Sequence, residues 1–568
     1  MISIANRPYT LIVALGLVAV VYARSIPNGF CFDDHAIVAE NPQVIQARWG
    51  EIFTSDYWST TGEHTGLYRP LTLASFALNF LLAGEGAWSF HLVNLVLHLG
   101  ATALFYWVVA ACLSPGAALL AGLCFGLHPA LTEAVAGVVG RAELLSCCLG
   151  LTGVWTWRAA KVPAQYLGAL ALLSLAPLAK ESGICFPLGA AVWALCFQPS
   201  KLAAWIGALA AAGLSLGIKL LVLGQLQPGD IGFLDNPLAY VSAPVRMLNS
   251  PGLLVHYLKL LVFPWPLSAD YSFNQLPVAA APDAEVLGAL GLVLSLGFLL
   301  WRALRRQPDL ALWVLVGGSA LVLVANLLLA GGTLFAERLL YLPALAFSLG
   351  VGWAAEQLDT RKTAVLIGGW VLVAAPLVWQ RCGDWQDDLH LFRRAVEVTP
   401  ASARSHYGLG RALQESGDAA GALAVYTTAL AIFPRYAEAH FNRGAALLSL
   451  DRPSEALAEY RQAVQIRPGF TKALYAVAVL TRELEGDSAA IPAFLALLTQ
   501  DPGHAAGVEG FCAILLRQGE RARAVEVVEH ALAANPGNAE LARVQRLLPV
   551  TRAVGPGTAT DPGQHRTP

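Results

Sequence analysis

The sequence predicts an all-α protein in two parts, a multi-pass transmembrane helical domain followed by an α-solenoid. Three observations carry that prediction. Hydrophobic residues make up 56% of the 568-residue chain and charged residues only 13%, with mean hydropathy +0.55; a typical soluble chain is about 25% charged. The apolar residues concentrate between about residues 9 and 380, after which the pattern becomes that of ordinary polar helices. Pro400, Pro434, Pro468, Pro502 and Pro536 then recur 34 residues apart. This composition excludes a purely soluble globular chain and a disordered one. The formal net charge of −2 argues against nucleic acid as a partner, since such binders carry a strongly basic face. The nine cysteines contain no CxxC pair and read as buried thiols.

A bilayer core calls for apolar runs of roughly 17 to 25 residues. Eleven such spans are expected, near 9–25, 90–112, 117–135, 141–158, 163–179, 184–197, 202–223, 284–301, 309–330, 338–357 and 363–380. The first lacks a small-x-small cleavage site before Pro27 and is read as an uncleaved anchor. Arg7, Arg158 with Lys161, Lys201, the Arg302–Arg305–Arg306 cluster, and Arg361 with Lys362 all fall on one side, which is then the cytoplasm. The odd number of spans puts residue 1 inside and everything after 381 outside. Counting 70–83 or 251–266 as spans would flip a basic loop. These two stretches are therefore expected to lie on, or re-enter, the outer leaflet, and 264–283 stays outside. The first outer loop, about 26–68, carries Asp33, Asp34, Glu40, Glu51, Asp56 and Glu63 but only Arg48 as a firm cation.

The 34-residue proline period is that of the tetratricopeptide repeat. Ala422, Ala456, Ala490 and Ala524 share one position where two helices must approach closely. Gly410 and Gly444 hold the small position of the first helix, and Tyr426, Tyr460, Phe494 and Val528 the large one. Units are expected at 403–436, 437–470, 471–504 and 505–538. Phe392, Ala395 and Pro400 fit a partial unit before them, starting near Trp385. The expected division is a membrane domain at 1–382, repeats at 383–550 and a disordered tail at 551–568. Such arrays present a concave groove to extended peptides or partner helices; a plain scaffold is the alternative.

Chemistry is sought at the outer face. Asp33 and Asp34 open the first outer loop, followed by His35. Two adjacent carboxylates can divide into a general base and an orienting group, or hold a divalent metal, or merely cap a turn. Glu133, Arg141, Lys180, Glu181, Glu337 and Arg338 fall at the same face on this topology. Charges at membrane depth are costly and usually functional or paired. His91 and His98, seven apart on one helix, read as helix-contact residues. Three cation positions on one face fit an anionic ligand such as a phosphate. No P-loop and no GxGxxG fingerprint is present, so nucleotide use is unsupported; a lipid-linked phosphate needs neither.

FDDHAIVAENPQV (32–44), YRPLTLASFALNF (68–80), FHLVNLVLHL (90–99), HPALTEAVAGVVGRAELLS (128–146), LAKES (178–182) and ERLLYLPAL (337–345), together with the repeats, resemble the transmembrane and tetratricopeptide repeat-containing O-mannosyltransferases, in a bacterial-type relative. The resemblance implies a GT-C-like membrane domain and an inverting transfer. It implies a polyprenyl-phosphate-linked donor, a hexose such as mannose as the sugar, and Ser or Thr hydroxyls of proteins as acceptors. The site and the repeats would face the periplasm from the inner membrane, with the repeat groove holding the protein or peptide acceptor. It implies Asp33 and Asp34 as catalytic residues. Arg69, Arg141, Lys180 and Arg338 become the donor-phosphate cations, supported by His35, Glu133, Glu181, Glu337 and Tyr341. Whether a divalent metal assists stays open. The sequence departs from the repeat consensus after residue 470. The rival readings are a GT-C enzyme acting on a glycan or lipid, and a non-enzymatic membrane-anchored scaffold or transporter.

Overall fold

The computed structural model describes residues 7–62, 64–226, 229, 231–279, 284–305, 307–327 and 329–548. Glu63, Arg306 and the expected tail at 551–568 lie outside them. All regular structure among the described residues is helical, as the composition and periodicity predict. The chain divides into two compact units, residues 1–412 and 413–568.

The first unit runs α1 (Arg7–Tyr22), α2 (Pro42–Ile45), α3 (Trp49–Thr54), α4 (Pro70–Ala83), α5 (Ala87–Ala110), α6 (Pro115–Gly126), α7 (Thr132–Ala136), α8 (Arg141–Ala159), α9 (Pro163–Ala179), α10 (Cys185–Phe197), α11 (Leu202–Leu223), α12 (Ala243–Val262), α13 (Ala284–Leu304), α14 (Pro308–Val324), α15 (Pro343–Ala355), α16 (Thr360–Asp384) and α17 (Asp388–Val398). α18 (Ala403–Glu415) crosses the division. Among the described residues four helical stretches are long and apolar enough to cross a bilayer: α5, Val138–Ala159, α11 and α16. A fifth forms if α6 and Pro129–Ala136, bent by 47°, count as one. The eleven-span expectation thus exceeds what helix length alone supports. Proline explains much of the difference. His128-Pro129 breaks the run at 117–135, Pro177 interrupts the hydrogen-bond ladder in the last turn of α9, and Pro343 starts α15. α10 and α15 have 13 residues each, about 20 Å of helix against a hydrocarbon core of about 30 Å. The stretch at 70–83 is a 14-residue helix, short for a span.

The core of this unit gathers on α5, α6 and α8, where Phe105, Phe125, Leu144 and Leu151 are fully buried. The outward faces of α11 and α16 stay apolar and exposed, as at Leu221 and Leu372. A water-soluble helix would place polar residues there; lipid tolerates the opposite.

The second unit holds α19 (Ala419–Ile432), α20 (Ala437–Ser449), α21 (Pro453–Ile466), α22 (Thr471–Glu485), α23 (Asp487–Gln500), α24 (Ala505–Arg517), α25 (Arg521–Ala534) and α26 (Ala539–Leu547). Pro434, Pro468, Pro502 and Pro536 each stand two residues past a helix end, because proline cannot continue the hydrogen-bond ladder. Ala422, Ala456, Ala490 and Ala524 are fully buried, as are Tyr426, Phe494 and Val528, with Tyr460 nearly so. At Gly444 an added Cβ would sit 2.7 Å from the Tyr460 ring, so the small position exists to admit the large one. α17 buries Leu391, Phe392 and Ala395, the partial-unit pattern, yet it belongs to the first unit.

Candidate active site

The segment that opens with Asp33 and Asp34 is held by unusual local backbone. Phe32 takes φ +55, a left-handed conformation that costs an L-residue about 1–2 kcal/mol. Its N–H donates to Asp388 Oδ1 at 2.7 Å, and its ring meets Phe392 edge-on at 5.5 Å. The neighbouring His35 imidazole lies 3.1 Å from Asp388 Oδ2, and that bond raises the His35 pKa above its ordinary value.

Asp33 and Asp34 then part company. Asp34 is buried and accepts backbone N–H groups from Cys31 (3.2 Å), Val138 (3.2 Å) and Val139 (2.8 Å). The N–H groups of Val138 and Val139 converge on it because the turn at 137–140 folds back tightly. A Cβ on Gly140 would lie 2.2 Å from the Ala134 carbonyl oxygen. Asp34 does not cap the turn that follows it; it staples the loop to the 137–140 turn. Burial pushes its carboxyl up to about 7 against the pull of those three donors, with Asp33 adding to the push.

Asp33 is partly open. Its Oδ2 lies 3.7 Å from Arg338 Nη2, the side chains being 18% and 21% exposed. Arg338 is fixed from behind by Glu133, which accepts from its Nη1 and from its backbone N–H, both at 2.9 Å. Asp33, Arg338 and Glu133 therefore form one line of charge, with the carboxylate of Asp33 at the accessible end.

Two further pairs stand beside it. Lys180 Nζ lies 3.0 Å from Glu143 Oε1, and Ser182 Oγ donates to the other Glu143 oxygen at 3.2 Å. Arg69 holds Glu181 through Nε at 2.9 Å and Nη2 at 2.8 Å. The Arg69 guanidinium also sits over the Tyr57 ring at 4.8 Å. Among the described residues the buried Tyr57 hydroxyl has no hydrogen-bond partner, and the charges of Asp33 and Glu181 reach it. Sequence reading missed Tyr57 and Asp388; Glu143 stands out in the sequence as a charge beside an apolar segment but was not assigned to the site.

Other residues read as site residues lie elsewhere. Arg141 is buried and donates to Asn94 Oδ1, Asn79 Oδ1 and the Phe90 and Ser75 carbonyls, with Phe76 and Phe90 flanking the guanidinium. Four of its five N–H groups are used inside the helix bundle, on neutral acceptors. Tyr341 is buried with its hydroxyl 2.8 Å from His98 Nδ1. The Gly126 carbonyl takes the Nε2 proton of His98, so Tyr341 donates to Nδ1. Tyr341 thus packs through its hydroxyl against α5. Glu337 is buried, accepting from Arg381 (3.1 Å), the Ser268 N–H (2.6 Å) and Tyr271 (2.7 Å). It anchors the 264–279 loop rather than facing Asp33. That loop is also tied to α18, since buried Asp270 accepts from Ser272, Ser402 and Ser405.

The metal alternative for the acidic pair meets an unsuitable donor set. Asp34 has both oxygens committed to N–H groups. Among the described residues no group of three His, Cys, Asp or Glu side chains is arranged to hold an ion.

Fold and site together define a membrane protein with a partly open carboxylate set among ion-paired cations, and a tetratricopeptide array. A tetratricopeptide-repeat family model matches residues 381–434 and 407–469. The chain is 28% identical over 461 residues to human protein O-mannosyl-transferase TMTC3, covering 73% of this chain and 50% of that protein. It is 29% identical to human TMTC4, covering 72% and 65%. Over 296 residues it is 36% identical to Drosophila melanogaster Tmtc2, covering 48% and 31%. The chain thus spans about half to two thirds of the length of the two human relatives. The resemblance carried by the sequence motifs is to this group of proteins. Among solved structures, the tetratricopeptide protein YrrB, described as having an unusual peptide-binding site, aligns with TM-score 0.25 and 19% identity, covering 34% of this chain and 96% of that one.

Proposed function

We propose that this protein is a membrane protein O-mannosyltransferase that moves a sugar from a polyprenyl-phosphate donor to Ser or Thr hydroxyls. The observation that carries the reading is the Asp33–Arg338–Glu133 line. It is a carboxylate open at one end, oriented by a cation that is itself fixed, beside two more ion-paired cations. The names of the relatives support the reaction class.

In the proposed reaction Asp33 takes the acceptor hydroxyl proton. The acceptor oxygen forms a bond to the anomeric carbon from the face opposite the phosphate, the bond from that carbon to the phosphate oxygen breaks, and configuration inverts. The electron pair leaves with the polyprenyl phosphate. Arg338 holds Asp33 in place through the charge relay from Glu133, and Asp34 fixes the loop. A positioned base contributes about 10²–10⁴-fold, and fixed cations away from bulk water stabilise the departing phosphate more than they would in solution. The repeats would present the acceptor polypeptide, which favours a protein acceptor over a glycan. The site and repeats on this reading face the side opposite the basic loops. The test is in-vitro transfer from dolichyl-phosphate mannose to a Ser/Thr peptide by purified wild type and Asp33→Asn. Wild-type turnover in the variant would return the loop to a purely structural role.

A further inference from the structure

The cations named so far are each committed. Arg69 is bidentate on Glu181, Lys180 sits on Glu143, and Arg338 lies between Glu133 and Asp33. Arg141 is enclosed by neutral acceptors. Four carboxylates (Asp33, Glu133, Glu143, Glu181) thus face three cations (Arg69, Lys180, Arg338). Each of these cations already faces at least one carboxylate, so a phosphate entering the group competes with an ion pair at every one of them.

Lys219 stands apart from them. It lies in the last turn and a half of α11, four residues before Leu223. Its ammonium is half-buried and uses one donor on the Leu226 carbonyl at 3.0 Å. It makes no ion pair among the described residues. Near the end of so apolar a helix a lysine carries its ammonium to the polar interface, the depth at which a lipid phosphate lies. Its surroundings point to the same site. The helix packs on α9 and α10, which flank Lys180 and Glu181. The segment after it is tied to the first outer loop, with the Gly229 N–H donating to Thr65 O at 2.7 Å. Thr65 Oγ1 in turn donates to Asp56 at 2.9 Å. The charges of Glu181, Arg69 and Asp56 all act on the ammonium. Lys201, by contrast, stands at the opposite end of the same helix.

We propose that Lys219 is a phosphate-contacting cation of the donor site, one that, unlike Arg69, Lys180 and Arg338, is not already held in an ion pair among the described residues. Two of its three N–H donors are available to phosphate oxygens without breaking an ion pair. The proposal rests on the transferase reading above. The same chemistry also fits an ordinary anionic phospholipid headgroup, and the test separates the two.

Full-length protein in phosphatidylcholine nanodiscs is titrated with dolichyl phosphate and, separately, with phosphatidylglycerol. Wild type, Lys219→Met, Lys219→Arg and the control Lys201→Met are compared, each checked for monodispersity. Losing a charge-assisted contact weakens binding by about tenfold or more. The expected result is that loss for dolichyl phosphate in Lys219→Met, substantial recovery in Lys219→Arg, and none of it in Lys201→Met. Equal dolichyl phosphate binding by well-folded Lys219→Met and wild type overturns the assignment. So does a loss confined to phosphatidylglycerol, which makes Lys219 a headgroup residue. If wild type binds no dolichyl phosphate at all, the donor reading itself fails. Asp33→Asn transfer assays distinguish these cases, because they report on the chemistry whatever Lys219 does.

Discussion

Arg381 and Glu337 pair in the first unit with side chains 2% and 0% exposed; Arg517 and Asp487 pair in the second at 54% and 30%. The two contacts have similar geometry, at 3.1 and 2.7 Å, and very different consequences. In the first unit, charge is desolvated and each group depends on its partner. In the second, water and salt screen the pair, and the helices stand through their alanine and aromatic contacts instead. A protein that sinks ion pairs into an apolar bundle commits each charge to one geometry. Asp33 and Lys219 stand out because they are less enclosed by such partners.

The sharpest way to break this contrast is Asp33→Asn. If the open carboxylate is the base, transfer falls by roughly two orders of magnitude or more while the purified protein stays monodisperse. Asp34→Asn is expected to fail differently. The amide would turn an NH₂ toward at least one of the N–H donors of Cys31, Val138 and Val139, so the loop loosens. Faster hydrogen exchange across 30–40 accompanies the loss of activity, where Asp33→Asn shows none. Restored exchange protection with lost activity in Asp34→Asn would put Asp34 in the chemistry.

Removing one half of a buried pair comes next. Arg381→Met leaves Glu337 uncompensated and costs about 3–5 kcal/mol, read as a lowered unfolding midpoint of the membrane unit. Overfilling the repeat contact with Ala456→Leu costs about 1–3 kcal/mol and should lower the midpoint of the repeats. Arg517→Ala leaves both midpoints unmoved. A comparable drop for Arg517→Ala and Arg381→Met would erase the distinction between the units.

The smallest expected effect is a pH dependence of the loop. His35 is held above its ordinary value by Asp388, so its contribution is complete below about pH 6.5 and fades as pH rises through the folded value. Asp34, pushed up to about 7 by burial, adds in the same direction, since ionising it in the fold costs more than in the unfolded chain. Exchange at 30–40, corrected for intrinsic rate, should therefore rise from pH 6 to pH 8.5. His35→Gln should flatten much of that rise. A loop that tightens with pH would mean neither group governs it.

The repeats were legible because their information is local and periodic. A proline every 34 residues ends a helix wherever it falls, and an alanine paired with an aromatic sets the close approach inside each repeat. Asp33, Asp34, Lys180 and Arg338 stood out in the sequence because charges in apolar sequence are conspicuous. The spans were less so. Hydropathy counts apolar residues and passes over breaks such as His128-Pro129, which shortens a continuous run into a bent pair. Arg141 shows the same limit for the site. Its neighbours at 128–146 carry the family resemblance, but Asn79 and Asn94, 62 and 47 residues away, take two of its donors inside the bundle.

By itself the sequence determined the all-α class, the division between an apolar half and a repeat half, and the short list of charges worth attention. Composition and period suffice for these, since each follows from neighbours along the chain. Tertiary structure decided which acid is open and which is a staple, and which cations are already neutralised. It also brought the Tyr57 ring under the Arg69 guanidinium. Those distinctions depend on pairings between residues tens to hundreds of positions apart, such as Asp33 with Arg338. In an apolar interior a charge's partner, more than its own identity, sets whether it can act.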